Sequence, residues 1–176
     1  MGEQDRSEAA GGPRFAFGGI NHVALVAKDM ARTVAFYRDV LGMPLVKTLE
    51  LANGGQHFFF DAGGGASVAF FWFPGAPEAV PGLVQAPRGG GVSAHGSMNH
   101  LAFDVPLESI DLYRERLAAA GVEVTEVVDH SDPETEGGGV FIRSIYFTDP
   151  DGVRLEFAAW TRGLTASDVK HPPRQA

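Results

Sequence analysis

Two short stretches decide the fold, Ile20–Leu25 (INHVAL) and Met98–Phe103 (MNHLAF). Each is an apolar run with a histidine in third place, in a β-branched and aromatic context that is typical of a strand. A helical pattern with a tyrosine–arginine pair follows each of them, at Tyr37–Arg38 and at Tyr113–Arg114. The histidines and the tyrosines repeat in the same order at nearly the same offset. The chain is therefore interpreted as two copies of one module.

Apolar periodicity and turn residues divide each copy into the order βαβββ. The sequence thus predicts an α+β fold of two tandem βαβββ modules. In the second module the strand after the helix is predicted over Val122–Val128, and an acidic loop over Asp129–Gly139. The predicted organisation is a disordered tail over 1–14, module 1 over 15–73, a Gly/Pro-rich linker over 74–97, module 2 over 98–162 and a polar tail over 163–176.

Composition excludes several classes of function. The net charge of −8 argues against nucleic acid and against an anionic membrane surface, since both need a basic patch. The chain has no cysteine, which excludes disulfides, thiolate catalysis and Cys-rich zinc sites. No apolar run approaches the length of about 20 residues that spans a membrane. Because Met1–Arg14 is polar and resembles neither a signal nor a transit peptide, we expect a cytoplasmic protein.

Three side chains are candidate metal ligands: His22, His100 and Glu156. The two histidines occupy matching repeat positions, and Glu156 lies within an apolar closing strand. If the modules face each other, all three can converge on one concavity. Two neutral imidazoles and one carboxylate, with positions left open, are the arrangement favoured by non-haem Fe(II) and similar divalent ions. The alternative is that Glu156 forms an ion pair with Arg154 or Arg143.

The opening INHVALVAKDMARTVAFYRDVLGM (20–43) and the closing IYFTDPDGVRLEF (145–157) resemble the vicinal oxygen chelate superfamily. That superfamily includes glyoxalase I, extradiol dioxygenases, fosfomycin-resistance thiol transferases, methylmalonyl-CoA epimerase and bleomycin-binding proteins. The resemblance covers Gly18–Trp160 and implies a curved sheet, built as half-barrels, around a divalent metal held by His22, His100 and Glu156. We expect Fe(II) or Mn(II), with Zn(II), Ni(II) or Co(II) as alternatives. We also expect a homodimer, although the modules could pair within one chain or exchange between two.

One departure concerns a fourth metal ligand. Glyoxalase I and the epimerase take such a ligand from the last strand of the first module. Aligning Gly65 with Gly152 places Ala69 opposite Glu156, and alanine cannot bind a metal. The resemblance therefore favours the three-ligand members, which are the extradiol dioxygenases and the fosfomycin-resistance enzymes.

Tyr146 and His130 are the candidate catalytic residues. The run from Tyr146 to Glu156 is similar to the closing part of the extradiol signature, in which the tyrosine lies near the substrate. The histidine that precedes this tyrosine in the signature is replaced by Gly137–Gly139. Tyr146 is otherwise a strand aromatic, and His130 belongs either to a solvated loop or to a lid that carries an acid–base group. His57 is interpreted as structural or pocket-lining.

Extradiol enzymes carry an acid–base histidine on the last strand of the first module. Its position falls near Ser67 here, so it is absent. The sequence predicts a metal-dependent, extradiol-dioxygenase-like enzyme acting on a small diol or hydroxy-ketone that chelates the metal. The alternatives are a glyoxalase- or isomerase-type lyase, a fosfomycin-type thiol transferase, or a non-catalytic protein that sequesters a small molecule such as an antibiotic.

Overall fold

The computed structural model describes residues 18–78, 98–134, 139–169 and 171–172. Within these ranges the same order of elements occurs twice. Module 1 contains β1 (His22–Val26), α1 (Met30–Val34, continued as a π-helix over Ala35–Val40), β2 (Leu45–Glu50), β3 (Gln56–Asp61) and β4 (Ser67–Trp72). Module 2 contains β5 (Leu101–Asp104), a 3-10 turn (Leu107–Ser109), α2 (Ile110–Ala119), β6 (Val128–Ser131), β7 (Val140–Thr148) and β8 (Arg154–Trp160).

Each module forms a four-stranded mixed sheet with the same topology. The strand orders are β1-β4-β3-β2 and β5-β8-β7-β6. In each sheet the first strand pairs in parallel with the last, and the other pairs are antiparallel. This confirms the predicted α+β fold of repeated βαβββ units. The predicted tail over 1–14 and residues 79–97 of the predicted linker lie outside the described residues, and the domain boundaries stay predictions.

Asp29 and Gly42 set the two ends of the helix of module 1. Asp29 caps α1, because its carboxylate accepts a hydrogen bond from the Arg32 amide at 3.0 Å. Gly42, at a φ of 73°, follows the last turn in the left-handed conformation that glycine favours. Tyr37 is fully buried against Phe60 and Phe70, with ring centroids 5.6 and 4.7 Å away. One face of the first sheet therefore packs against α1.

Module 2 buries the equivalent face of its own sheet. Ile110 and Leu117 of α2 belong to the same buried cluster as Ile145 of β7 and Leu155 of β8. The other face of each sheet points away from its helix and is called here the open face of that module. Among the described residues no helix has the length and apolar character needed to cross a bilayer.

The predicted strand over Val122–Val128 is wrong. Val124 forms only an isolated bridge with Phe147, and the strand itself begins at Val128. Thr125 explains the early contact, because its amide donates to the Tyr146 carbonyl (2.9 Å) and its hydroxyl accepts from the Tyr146 amide (3.0 Å). The predicted acidic loop consequently starts too early, and β6 includes His130.

The two modules are joined by a buried hydrogen bond. The Tyr37 hydroxyl of α1 donates to Asp149 Oδ2, in the turn between β7 and β8, at 3.1 Å. Asp149 also accepts the amides of Asp151 and Val153 through Oδ1 at 2.9 and 2.8 Å. Burial raises the pKa of Asp149, and burial together with the Asp149 charge raises the pKa of Tyr37, so the phenol stays a donor. A second contact runs from the Lys28 amide to Asp151 Oδ2 at 2.9 Å.

Replacing Tyr37 by phenylalanine should lower the free energy of unfolding by about 1–3 kcal/mol, because a buried carboxylate oxygen loses its donor. Urea denaturation measures this change. Tyr113→Phe is the matched control, since Tyr113 is the repeat equivalent and its half-buried ring packs edge-on against Phe157. Equal losses in the two variants would contradict a specific role for the Tyr37–Asp149 bond.

Candidate metal centre

The open face of module 2 collects most of the predicted site. Tyr146 of β7 pairs directly with Glu156 of β8, and Ser144 pairs with Ala158. Because side chains alternate along a strand, Tyr146, Ser144 and Glu156 share the face that points away from α2. His100 immediately precedes β5, the strand that pairs with β8. Neighbouring strands thus bring together residues that are far apart in sequence.

His100 and Glu156 are in direct contact. His100 Nε2 lies 2.8 Å from Glu156 Oε2, and Glu156 is only 5% exposed. The other carboxylate oxygen accepts a hydrogen bond from the Ser144 hydroxyl at 2.5 Å. His100 Nδ1 lies 2.6 Å from the Asn99 side-chain oxygen, which is an acceptor only. Nδ1 therefore carries a proton, and Nε2 faces the carboxylate.

Tyr146 and His130 form a second pair next to the first. His130 Nε2 is 3.0 Å from the Tyr146 hydroxyl, and the His100 ring meets the Tyr146 ring edge-on at 5.8 Å. Partial burial and the negative charge of Glu156 raise the pKa of Tyr146, so its hydroxyl is protonated at neutral pH. The open face of module 2 thus has an imidazole–carboxylate pair beside a phenol–imidazole pair that can pass a proton.

His22 stands apart from these residues. It lies on the open face of module 1, where its ring meets Phe59 edge-on at 5.8 Å. Its Nδ1 is 2.7 Å from the Asn21 side-chain oxygen, which repeats the arrangement of Asn99 and His100. The side chain is exposed. Within the described parts of the chain, no three His, Cys, Asp or Glu side chains lie close enough together to hold one metal ion.

Comparison with known families identifies the chain. Residues 19–157 match the Glyoxalase/Bleomycin resistance protein/Dioxygenase superfamily. The chain belongs to this superfamily. The match runs from the strand that carries His22 to the strand that carries Glu156, and so includes both open faces. It confirms the resemblance seen in the opening and closing segments.

Individual relatives within the superfamily differ in their named activities. The fosfomycin resistance protein FosX of Listeria monocytogenes is 29% identical over 143 residues, which are 81% of this chain and 90% of FosX. The putative ring-cleaving dioxygenase MhqE of Bacillus subtilis is 32% identical over 113 residues, which are 61% of this chain and 33% of MhqE. A crystal structure of L. monocytogenes FosX complexed with Mn(II) and sulfate has a TM-score of 0.56 at 23% identity, over 83% of this chain and 95% of that one.

Strand register supports the predicted equivalence of Ala69 and Glu156. Ala69 pairs with Ala24 of β1, two residues after His22, and Glu156 pairs with Ala102 of β5, two residues after His100. The position of module 1 that is equivalent to Glu156 is therefore an alanine, which cannot bind a metal.

The proposed arginine partners of Glu156 have other contacts. Arg143 binds Asp129 at 2.9 Å on the helix side of the sheet, and Arg154 lies over the Tyr146 ring at 4.8 Å.

Sequence reasoning missed the residues that orient the ligand candidates. Asn21 and Asn99 fix the ring nitrogen of the histidine that follows each of them, and Ser144 fixes one oxygen of Glu156. The sequence did contain a signal for the asparagines, because the pair Asn-His occurs in both copies of the opening stretch. Ser144 had a weaker signal, since it alternates with Tyr146 along β7 and so shares its face.

Proposed function

We propose that the chain is a divalent-metal-dependent enzyme that acts on a small diol or hydroxy-ketone held through two neighbouring oxygen atoms. The metal ligands are His100, Glu156 and His22, and the metal is Fe(II) or Mn(II). One observation carries the proposal: the His100–Glu156 contact lies beside the Tyr146–His130 pair on one open face. The complex of the related FosX with Mn(II) supports the type of metal.

The contact between His100 and Glu156 fits a cation. With the proton of His100 on Nδ1, Nε2 and Glu156 Oε2 are both acceptors only 2.8 Å apart. Two acceptors at this distance repel each other unless a proton or a metal ion is shared between them. Imidazole nitrogen and carboxylate oxygen together suit Fe, Mn and Zn. Asn99 and Ser144 supply the outer hydrogen bonds that orient metal ligands.

The third ligand is proposed to come from a second copy of the chain, in a homodimer. His22 is exposed, and Asn21 already orients its ring. The imidazole is therefore accessible to a metal ion that is bound by another chain. It lies on an edge strand, β1, whose open face also exposes Ala24 and Val26. Val26 is 55% exposed and Ile20, two residues before His22, is 69% exposed, so apolar side chains flank His22 along this edge and a second copy would cover them.

The side chains of the open face then have separate roles. A bound divalent metal polarises the substrate oxygens and stabilises negative charge on them. Tyr146 donates its hydroxyl hydrogen to a substrate oxygen, and the raised pKa of the phenol keeps that hydrogen in place. His130 Nε2 lies 3.0 Å from the phenol oxygen, so a protonated His130 returns a proton to Tyr146 after the phenol has given its own to the substrate oxygen. The Ser144 hydroxyl donates to one oxygen of Glu156 and so orients this carboxylate.

Within this enzyme class we propose extradiol-dioxygenase-like chemistry. The support is the position of Tyr146 beside His100 and Glu156, and the similarity to the putative ring-cleaving dioxygenase MhqE. A fosfomycin-resistance activity is the second candidate. One observation favours it: the aligned region covers 90% of FosX but only 33% of MhqE. Oxygen uptake with a panel of catechols, run beside a fosfomycin-consumption assay, separates the two.

Wild-type protein is expected to bind one divalent ion per chain, and His100→Ala should lose most of it because one strong donor is removed. Elemental analysis after loading with Fe(II) or Mn(II) and desalting measures this. His171→Ala is the matched control, since His171 is an exposed histidine that contacts Glu134 at 3.1 Å. Equal metal content in wild type and His100→Ala would refute the site. A metal-loaded protein that binds a diol tightly but turns over no substrate would instead be a sequestering protein.

A further inference from the structure

The open face of module 1 carries a row of stacked rings that the proposed mechanism does not use. The rings of His57 and Phe71 are nearly parallel, with centroids 3.6 Å apart and an angle of 6° between their planes. Phe71 in turn stacks on Phe73 at 5.4 Å and 11°. His57, Phe71 and Phe73 are called here the ring stack. Phe59 meets His57 edge-on at 4.2 Å and links the ring stack to His22.

The ring stack is not part of the core beneath the sheet. His57 pairs with Phe71 across β3 and β4, whereas Phe58 pairs with Phe70 and Phe60 pairs with Val68. Since side chains alternate, the latter pairs face α1 and the ring stack faces the other way. The aromatic rings therefore lie on the surface that also carries the proposed ligand His22.

One ring nitrogen of His57 has a partner and the other does not. Nδ1 lies 3.2 Å from the Phe70 carbonyl oxygen, so it carries the proton and Nε2 has a lone pair. Among the described residues, no hydrogen-bond partner is found for Nε2. No fully buried side-chain nitrogen or oxygen of the described residues lacks a partner, so Nε2 reaches the surface of the open face. A histidine that is only 8% exposed thus presents one unpartnered acceptor.

The repeat of the two modules gives a second indication that His57 belongs to a binding site. Ala69, the equivalent of Glu156, pairs with Phe59, and Glu156 pairs with Tyr146. His57, two residues before Phe59, is therefore the equivalent of Ser144, which in module 2 binds Glu156. The same position in the two modules carries a polar side chain on the open face.

We propose that His57 is a substrate-binding residue and that the substrate contains an aromatic ring with a hydroxyl group. This inference rests on the proposed function, in which His22 brings the open face of module 1 to the metal of a second copy. His57 Nε2 accepts a hydrogen bond from the substrate hydroxyl, and the substrate ring packs against Phe59 and Phe71. The rings of Phe59 and Phe71 favour a planar substrate ring over a small aliphatic group, because ring–ring contacts stabilise the complex beyond the area that is buried.

Calorimetry on the metal-loaded protein tests the proposal with two probes, catechol and acetoin. Wild type should bind the aromatic diol catechol more tightly than the aliphatic hydroxy-ketone acetoin. His57→Phe keeps a stacked ring and removes the acceptor, so catechol affinity should fall roughly 3- to 10-fold, the scale of one hydrogen bond. His57→Gln keeps an acceptor and should recover part of that loss. Phe71→Leu should weaken catechol binding while leaving acetoin binding unchanged.

Phe58→Leu is the matched control, because Phe58 is the neighbouring aromatic that faces α1. It should leave the ratio of the two affinities unchanged. The proposal is overturned if wild type binds both probes equally, if His57→Phe binds catechol like wild type, or if His57→Phe loses its metal. Loss of metal in His100→Ala is measured separately, so the proposed function can stand while this inference fails. If His57 is purely structural, His57→Gln should have a lower melting temperature than wild type and should recover no catechol affinity.

Discussion

Mixed dimers of His22→Ala and His100→Ala should recover metal that neither variant binds alone. If His22 of one chain joins His100 and Glu156 of the other, a mixed dimer has one site with both substitutions and one site with neither. Co-expression with two different tags allows the mixed dimer to be isolated. It is expected to hold about half of the metal of wild type, because closed two-fold symmetry gives two equivalent sites per dimer.

The same experiment distinguishes the two ways in which the modules can pair. Sites built within one chain would each contain one substitution, so the mixed dimer would be as empty as its parents. A mixture of His100→Ala and Glu156→Ala is the matched control. These two ligands already lie 2.8 Å apart in a single chain, so no exchange of subunits can rebuild their site. Recovery of metal in this control would mean that His100 and Glu156 do not act together.

Much of the fold could be predicted because it depends on local patterns. The alternation in β7 and β8 assigns a face to each residue, and pairing between these strands then places Tyr146 beside Glu156. The contact between His100 and Glu156 follows from the parallel pairing of β5 with β8, which the repeat also gives module 1. Periodicity therefore assigns a face to each of these residues, whereas the pairing of β5 with β8 is visible only in the tertiary structure.

The position of His130 could not be predicted in this way. Val122–Val128 has the alternating apolar character of a strand, but tertiary contacts decide which residues join the sheet. Val124 and Thr125 contact the end of β7, and β6 pairs with β7 over Val128–Ser131, where His130 lies opposite Ile142. The separation of His22 from His100 has a similar cause. It depends on contacts between modules, such as Tyr37 with Asp149, which no local pattern encodes.

Tyr146→Phe tests the proposed chemistry most directly. The variant keeps the ring that contacts His100 and removes the hydroxyl that contacts His130. If this hydroxyl donates to a substrate oxygen as charge develops, kcat should fall roughly 10-fold to 1,000-fold, the scale of one positioned donor. Metal content should not change, because Tyr146 is not a proposed ligand. Steady-state kinetics with the best substrate of the panel, together with elemental analysis, measures both quantities.

Substitution of His130 tests the other member of the Tyr146–His130 pair. His130→Gln keeps a group that can hydrogen-bond the phenol but cannot return a proton to it, so it should lower kcat with little effect on KM. The matched control is Tyr113→Phe, which removes a phenol hydroxyl from α2 and leaves the open face intact. A fall in ligand affinity of only about 1 kcal/mol in Tyr146→Phe, with no turnover in wild type, would be the behaviour of a protein that sequesters its ligand. If Tyr146→Phe and His130→Gln both keep the wild-type kcat, the proton pair has no part in the reaction, and the proposed role of the open face of module 2 is reduced to metal binding.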